Sequence, residues 1–379
     1  MNENKKYNFD RQKRNYGIDS LRLIAMFMVV LLHVLGQGGI LSATKGFKNA
    51  EVWFWEISAY CAVDCYAIIS GFVGYSEIEK KYPYEKFLKF WLQVFTYSFG
   101  ITLIMFLIKP ELVGIKELFL SIFPIASKQY WYASSYAALF FLIPWINKLV
   151  RSCSKKEISS LVFTLMAVFS VYGMCTNTIW DSFSLAGGYS VIWLVILYII
   201  GAWMKKCDIP NRLKNKKLII GTIGFILFIW CIRIVVSESA ISWIFVGYTN
   251  IMMVFIAFAL VCIYSKISLG KRIQRFVKCF SPAAFGVYLI HTNLVIFNNI
   301  LAGAFTWIAD IPSGLISICV LILSLIIFAL CLLIEKVRLS VFRVLKINQS
   351  VEMMGIVLVK QVKKSLNFIM EVHNLYERD

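Results

Sequence analysis

The chain has 379 residues, 59% of them apolar and only 16% charged, against about 45–50% and about 25% in an ordinary soluble domain. That excludes a soluble enzyme, a disordered chain and a secreted disulfide scaffold, and leaves a polytopic membrane protein. The net charge of +18 needs no nucleic-acid partner, because Lys and Arg collect in cytoplasmic loops of membrane proteins.

The first stretch, Met1 to Tyr16, is polar and basic, and an apolar run follows without a small-residue cleavage site. This is the pattern of an uncleaved first membrane helix rather than a signal peptide. Ten apolar segments are long enough to cross a bilayer at about 20 residues each. They run Ile18–Leu35, Trp53–Tyr75, Phe87–Ile108, Trp131–Leu149, Ile158–Cys175, Tyr189–Met204, Leu218–Val236, Trp243–Tyr264, Pro282–Leu301 and Gly314–Ile334. In hydrocarbon the backbone must satisfy itself, so segments of this length are helices and the expected class is all-α.

The loops between them carry charge in alternation. Lys5, Lys6, Arg11, Lys13 and Arg14 precede the first helix, and Lys80, Lys81 and Lys86 follow the second. Arg151, Lys155 and Lys156 follow the fourth, and the loops after the sixth, eighth and tenth are basic again. The loops after helices five, seven and nine hold no basic residue, only acids such as Asp181, Glu238 and Asp310. The alternation predicts that both termini are cytoplasmic and that the chain is a multi-pass protein of the cell membrane. Residues 1–346 form one transmembrane domain in this reading. Residues 347–379 form a tail of mixed apolar and charged character, read as a cytoplasmic or interfacial helix.

Ionisable residues inside a membrane helix are costly and therefore candidates for function. The first helix holds Asp19, Arg22 and His33. Eleven residues make nearly a whole number of turns, so Arg22 and His33 share a face roughly 16 Å apart along the axis. Asp19, three residues before Arg22, is placed to pair with it. An interfacial anchor pair explains Asp19 and Arg22 equally well. His33 is deep, and an imidazole can act as acid or base near neutral pH; the bland alternative is an interhelical hydrogen bond. The second helix carries Glu56, Asp64, Ser70 and Gly71. Asp64 is a candidate to fix a histidine tautomer, whereas Ser70 and Gly71 suit helix packing. The ninth helix holds His291, which either lines a substrate path or makes a structural hydrogen bond. Trp53, Trp131 and Tyr132 fall at the outer boundary, where aromatic belts are common. The ten cysteines form no CxxC pair and no metal-ligand spacing, and read as small hydrophobes.

Several of these residues, in this order, resemble the acyltransferase family 3 proteins. Arg14-Asn-Tyr-Gly-Ile-Asp19-Ser-Leu-Arg22 followed by His33 is similar to the family's opening, with its arginine–ten residues–histidine signature. Val63-Asp64-Cys65-Tyr66-Ala67-Ile68-Ile69-Ser70-Gly71-Phe72 resembles its second-helix motif, with Tyr66 and Ala67 where two phenylalanines are common. Trp131-Tyr132 with Tyr136 and Pro144 resembles the fourth-helix pattern, Phe285-Gly-Val-Tyr288-Leu-Ile-His291 the late motif, and Glu335 the acid that ends the last helix. The resemblance spans about Arg14 to Glu335.

It implies an integral membrane enzyme that moves an acyl group, usually acetyl, from cytoplasmic acyl-CoA onto an extracytoplasmic carbohydrate, with no resident cofactor or metal. Arg22, with Arg14, would hold the donor's phosphates. His33 would be the general base, with Asp64 or Asp19 fixing its tautomer. Ser70, Trp131, Tyr132, His291 and Glu335 are candidates for the substrate path. Direct transfer is the first expectation and an acyl-enzyme the second. A transporter or flippase of a glycan or lipid-linked intermediate is the rival class; its cue, two related halves with broken helices, is not visible in the sequence. The acceptor sugar, the acyl identity and the oligomeric state are not legible in the residues.

Overall fold

The structure is a computed structural model describing residues 14–176, 181, 183–236 and 244–376, with the backbone alone for 175 and 366–376. The basic residues Lys5, Lys6, Arg11 and Lys13, Glu238, and the expected start of the eighth span at Trp243 lie outside the described residues.

Every regular element among the described residues is a helix. The principal ones are α1 (Tyr16–Leu35), α2 (Gly46–Ala59), α3 (Ala62–Gly74), α4 (Lys86–Ile108), α5 (Trp131–Ser152), α6 (Lys155–Leu165), α7 (Val191–Lys206), α8 (Asn215–Val236), α9 (Ile251–Ser265), α10 (Lys271–Phe280), α11 (Ala284–His291), α12 (Leu315–Val344) and α13 (Ile347–Tyr376). Among the described residues six helical stretches are long and apolar enough to cross a membrane: α1, the α2–α3 run, α4, α5, α8 and α12. The expected ninth span is broken instead: the helical stretch Lys271–His291 meets Leu294–Asp310 at a bend of 54°. At that break Asn293 turns its side chain back to cap the next turn, its Oδ1 accepting from Val295 N at 3.0 Å as an N-cap residue does. Two further apolar helices, α7 and α9, have 16 and 15 residues. The expected fifth span begins as α6, behind a Ser154–Glu157 capping box, and continues through a π-helical stretch at Met166–Tyr172.

Burial sorts the helices into centre and perimeter. In α1, 67% of the apolar window is buried, against 11% in α8. Exposed Ile219, Ile220, Ile223, Leu227 and Phe228 on α8 are therefore a lipid-facing surface, while α1 runs through the middle of the bundle. The tightest approach is between α3 and α7. A Cβ on Gly71 would sit 1.9 Å from the Tyr198 carbonyl, and one on Gly201 would sit 2.0 Å from the Ile68 carbonyl. Only paired glycines let the two backbones come so close, as small residues do in membrane helix packing. That contact sets the position of the α3 face carrying Tyr66 and Ser70 relative to α1. Residues 347–376 form a single helix, α13, joined to α4 by an ion pair between Lys89 Nζ and Glu352 Oε2 at 2.6 Å.

Candidate active site

The site begins at the entry to α1. Asn15 caps the helix, its side chain accepting from Ile18 N at 3.1 Å and donating to the Ser265 carbonyl at 2.8 Å. This ties the start of α1 to the end of α9. One turn in, Asp19 is buried and takes two guanidinium groups: Arg22 Nη1 donates to Oδ1 at 2.6 Å, and Arg14 Nε donates to Oδ2. The pairing expected of Asp19 and Arg22 is made, and the two arginines also share a large open cavity.

That cavity, of about 760 Å³, is the vestibule. Arg14, Arg22 and Lys205 reach it from α1's entry, α1 and the end of α7, and Asp19 is its single carboxylate among the described residues. Three cations against one acid leave the space positive. Guanidinium forks and ammonium groups in this arrangement suit phosphate oxygens. Ser70 also lines the vestibule, its hydroxyl bonded back to the Tyr66 carbonyl at 2.9 Å. The packing role expected for both Ser70 and Gly71 therefore holds for the glycine, while the serine faces the cavity.

Deeper along α1, a second and much smaller cavity of about 60 Å³ holds His33 in its wall. Trp131, Tyr132, Tyr189, Tyr248 and Tyr288 surround it. The vestibule and this chamber share three lining residues, Tyr66, Tyr132 and Phe285. The three rings form a septum between a cationic space and an imidazole. Tyr66 is pinned there by donating its hydroxyl to the Arg22 carbonyl at 2.6 Å, a bond phenylalanine could not make. Tyr132 is held through its backbone N–H, which donates to the Tyr288 hydroxyl at 3.3 Å.

His33 finds its partner in α11. Its Nδ1 lies 2.8 Å from His291 Nε2, and His291 Nδ1 lies 2.5 Å from the Val287 carbonyl. The tautomers follow from the end of this chain. A carbonyl oxygen only accepts, so His291 Nδ1 carries the hydrogen. In the neutral ring His291 Nε2 is then an acceptor, and His33 Nδ1 must donate to it. His33 Nε2 is left with its lone pair free, the protonation state a general base requires. Phe297 sets the other side of the His33 ring, edge-on at 5.2 Å.

The structure corrects four expectations. Asp64 does not orient His33: it is fully buried and accepts from the Trp193 indole N–H at 3.1 Å. Asp19 does not reach His33 either, because fourteen helical residues put them about 21 Å apart. Glu335 lines neither cavity. It is fully buried and accepts from Gln93 at 3.0 Å, Tyr97 at 2.5 Å, and Arg338 at 2.7 and 2.6 Å, a knot joining α4 to α12. Gly286 of α11 makes room for it, since a Cβ there would come within 2.5 Å of the Glu335 side chain. Trp53 is no outer-belt residue: it is 5% exposed and lies under the Arg233 guanidinium at 4.2 Å. Trp131 and Tyr132 likewise face the His33 chamber.

Sequence reasoning missed Lys205, counted only as a loop charge, and the tyrosines Tyr189 and Tyr248. No spacing rule links them to α1; they lie far along the chain and meet it only in the folded bundle.

A family model described as "Acyltransferase domain", that of acyltransferase family 3, matches residues 15–333. It takes in α1 through most of α12, including Arg22, His33, Asp64 and His291, and stops short of Arg14 and Glu335 by one and two positions. No curated protein and no solved structure matches the chain.

Proposed function

The chain belongs to the acyltransferase family 3 proteins, and from that premise we propose that it moves a short acyl group, acetyl by preference, from cytoplasmic acyl-CoA to a hydroxyl of an extracytoplasmic glycan. It does so as a multi-pass protein of the cell membrane, with the ten apolar segments crossing the bilayer and both termini in the cytoplasm.

One observation carries this reading: the cationic vestibule and the His33 chamber meet at the same three rings, Tyr66, Tyr132 and Phe285. Acyl-CoA is too charged to cross a bilayer, so its phosphates must stay at one mouth while its thioester reaches a base further in. Arg22, Arg14 and Lys205 hold the phosphates at the vestibule. The uncharged arm passes the rings. A chamber of about 60 Å³ is space for only a few waters, which favours a small acyl group over a long one.

His33 Nε2 takes the proton of the acceptor hydroxyl as its oxygen attacks the thioester carbonyl. Collapse of the tetrahedral intermediate breaks the carbon–sulfur bond, and the CoA sulfur leaves with the proton returned from His33. His291 is a positioning residue: it accepts from His33 Nδ1 and fixes the ring, as the aspartate does in a serine hydrolase. Direct transfer is the route we propose; among the described residues the His33 chamber is lined by no serine, threonine, cysteine or lysine.

The test is thiol release from acetyl-CoA by the purified protein, with and without candidate surface glycans. The wild type is expected to release thiol and to acetylate glycan. His33→Ala is expected to remain folded and to lose about 10²- to 10⁴-fold in rate, the usual share of a general base. Glycan movement across vesicles without thiol release would place the chain among carriers and defeat the proposal.

A further inference from the structure

A second basic cavity lies at the same end of the bundle as the vestibule, between α10 and the last third of α12, with a volume of about 500 Å³. Five cations reach it: Arg275 and Lys278 from α10, Lys336 and Arg343 from α12, and Lys346 just beyond. Among the described residues no carboxylate lines it. The contrast with another cavity, of about 690 Å³, is informative. There five cations, Lys80, Lys81, Arg151, Lys360 and Lys363, are interleaved with Glu79 and Glu85, and Arg151 pairs with Glu79 at 3.7 Å. The charge bias of cytoplasmic loops explains a surplus of lysine and arginine. It does not explain why cations from two helices converge on one concavity with no acid among them.

The floor and the setting supply the second half of the argument. Leu339 and Phe342 give the cavity an apolar side. Its wall is fixed, because Lys336 Nζ donates to the Cys279 carbonyl at 3.2 Å and so ties α12 to α10. The ten residues of α10 make about 15 Å of helix, too short to span. Its sequence is split into a cationic side and an apolar side, and Ile273 and Phe276 on the latter are 53% and 54% exposed. A helix of this kind lies along a membrane interface. Helix α12 has 30 residues, about 45 Å, against a hydrocarbon core of about 30 Å. Its last turns, which carry Lys336 and Arg343, therefore project to headgroup level.

We propose that this cavity binds the phosphate headgroup of an anionic phospholipid, with the acyl chains leaving past Leu339 and Phe342. Arginine forks and lysine ammonium groups recognise the phosphate, and basic pockets between membrane helices take such headgroups by this chemistry. A soluble phosphate ester offers the same anion, so the experiment must separate the two sources. The inference requires only that the chain sits in a membrane; it is independent of the acyl-transfer reading.

The test uses the full-length protein in detergent, exposed to equal amounts of phosphatidylglycerol and phosphatidylcholine and examined by native mass spectrometry. Phosphatidylglycerol adducts are expected to dominate. The triple variant R275Q/K278Q/R343Q should lower that preference on the order of tenfold or more. R275K/R343K should keep it. A control, K155Q/K156Q/K217Q, removes the same charge elsewhere on the basic side and should also keep it. Each variant is first checked for a monodisperse, thermally cooperative protein. Equal adducts of the two lipids, or equal loss of preference in the control, would overturn the proposal. Displacement of the lipid by adenosine 3′,5′-bisphosphate would assign the cavity to a soluble phosphate ester and overturn the lipid assignment.

Discussion

His33 and His291 are 258 positions apart in the chain and 2.8 Å apart in space. Each is recognisable alone as an ionisable group in an apolar helix, but their pairing follows from the bundle's packing and no local pattern carries it. The sequence favours carboxylates as partners for His33 because catalytic triads use them; the fold spends Asp64 on an indole and Asp19 on two arginines instead. The consequence can be measured. His291→Phe leaves His33 Nδ1 without its acceptor, so the ring loses its fixed tautomer. We expect kcat to fall by about tenfold or more while KM for acyl-CoA stays near wild type. A rise in KM with unchanged kcat would mean that His291 binds substrate rather than positioning the base. Arg22 is the complementary case. Arg22→Lys keeps the charge and loses the planar fork that meets Asp19 and faces the vestibule. KM for acyl-CoA should rise about tenfold with a smaller effect on kcat, read from initial rates across donor concentration.

At the scale of helices, α1 was the most legible element. Its end at Leu35, the Asp19–Arg22 pairing and the shared face of Arg22 and His33 follow from helical periodicity, and the two cavities lie along it in that order; the Asn15 cap, three residues before the expected start at Ile18, was not foreseen. The apolar run around residue 292 was misjudged as an unbroken span, because hydropathy averages over a cap: Asn293 bends the path by bonding locally, which composition does not register. Glu335 shows the same limit. An acid at the end of a membrane helix reads as functional, yet its four hydrogen bonds from Gln93, Tyr97 and Arg338 make it a tie between elements. Glu335→Ala strands the Arg338 guanidinium in a largely buried position. Breaking a buried pair in this way costs about 3–5 kcal/mol. The variant should lose thermal stability in detergent, measured by fluorescence-detected size exclusion, and its surviving fraction should keep the wild-type KM for acyl-CoA.

For the whole molecule, charge carried the expectation of orientation and apolar length the expectation of span number. Among the described residues six helices meet the length test outright. The others are short, bent or interrupted by π-helical turns, which a count of apolar residues cannot distinguish from straight crossings. Orientation is open to direct measurement. Single cysteines in a cysteine-free background, placed at Lys155, Lys278 and Asp310, should divide by side in intact cells. The first two are expected to be shielded from a membrane-impermeant maleimide and the third labelled. Labelling of Lys155 and Asp310 positions alike would refute the proposed arrangement.

The septum of Tyr66, Tyr132 and Phe285 has a consequence beyond chemistry. A protein that works as proposed, with a wide mouth for the donor on one side and a way in for a sugar on the other, would nearly hollow out the barrier it sits in. A cell that stores energy as a proton gradient cannot tolerate an unbroken file of water through such a protein. The three rings stand where the two cavities meet, the place where such a file would have to pass. On the proposed reading, the residues that admit the donor would also insulate the membrane electrically between turnovers.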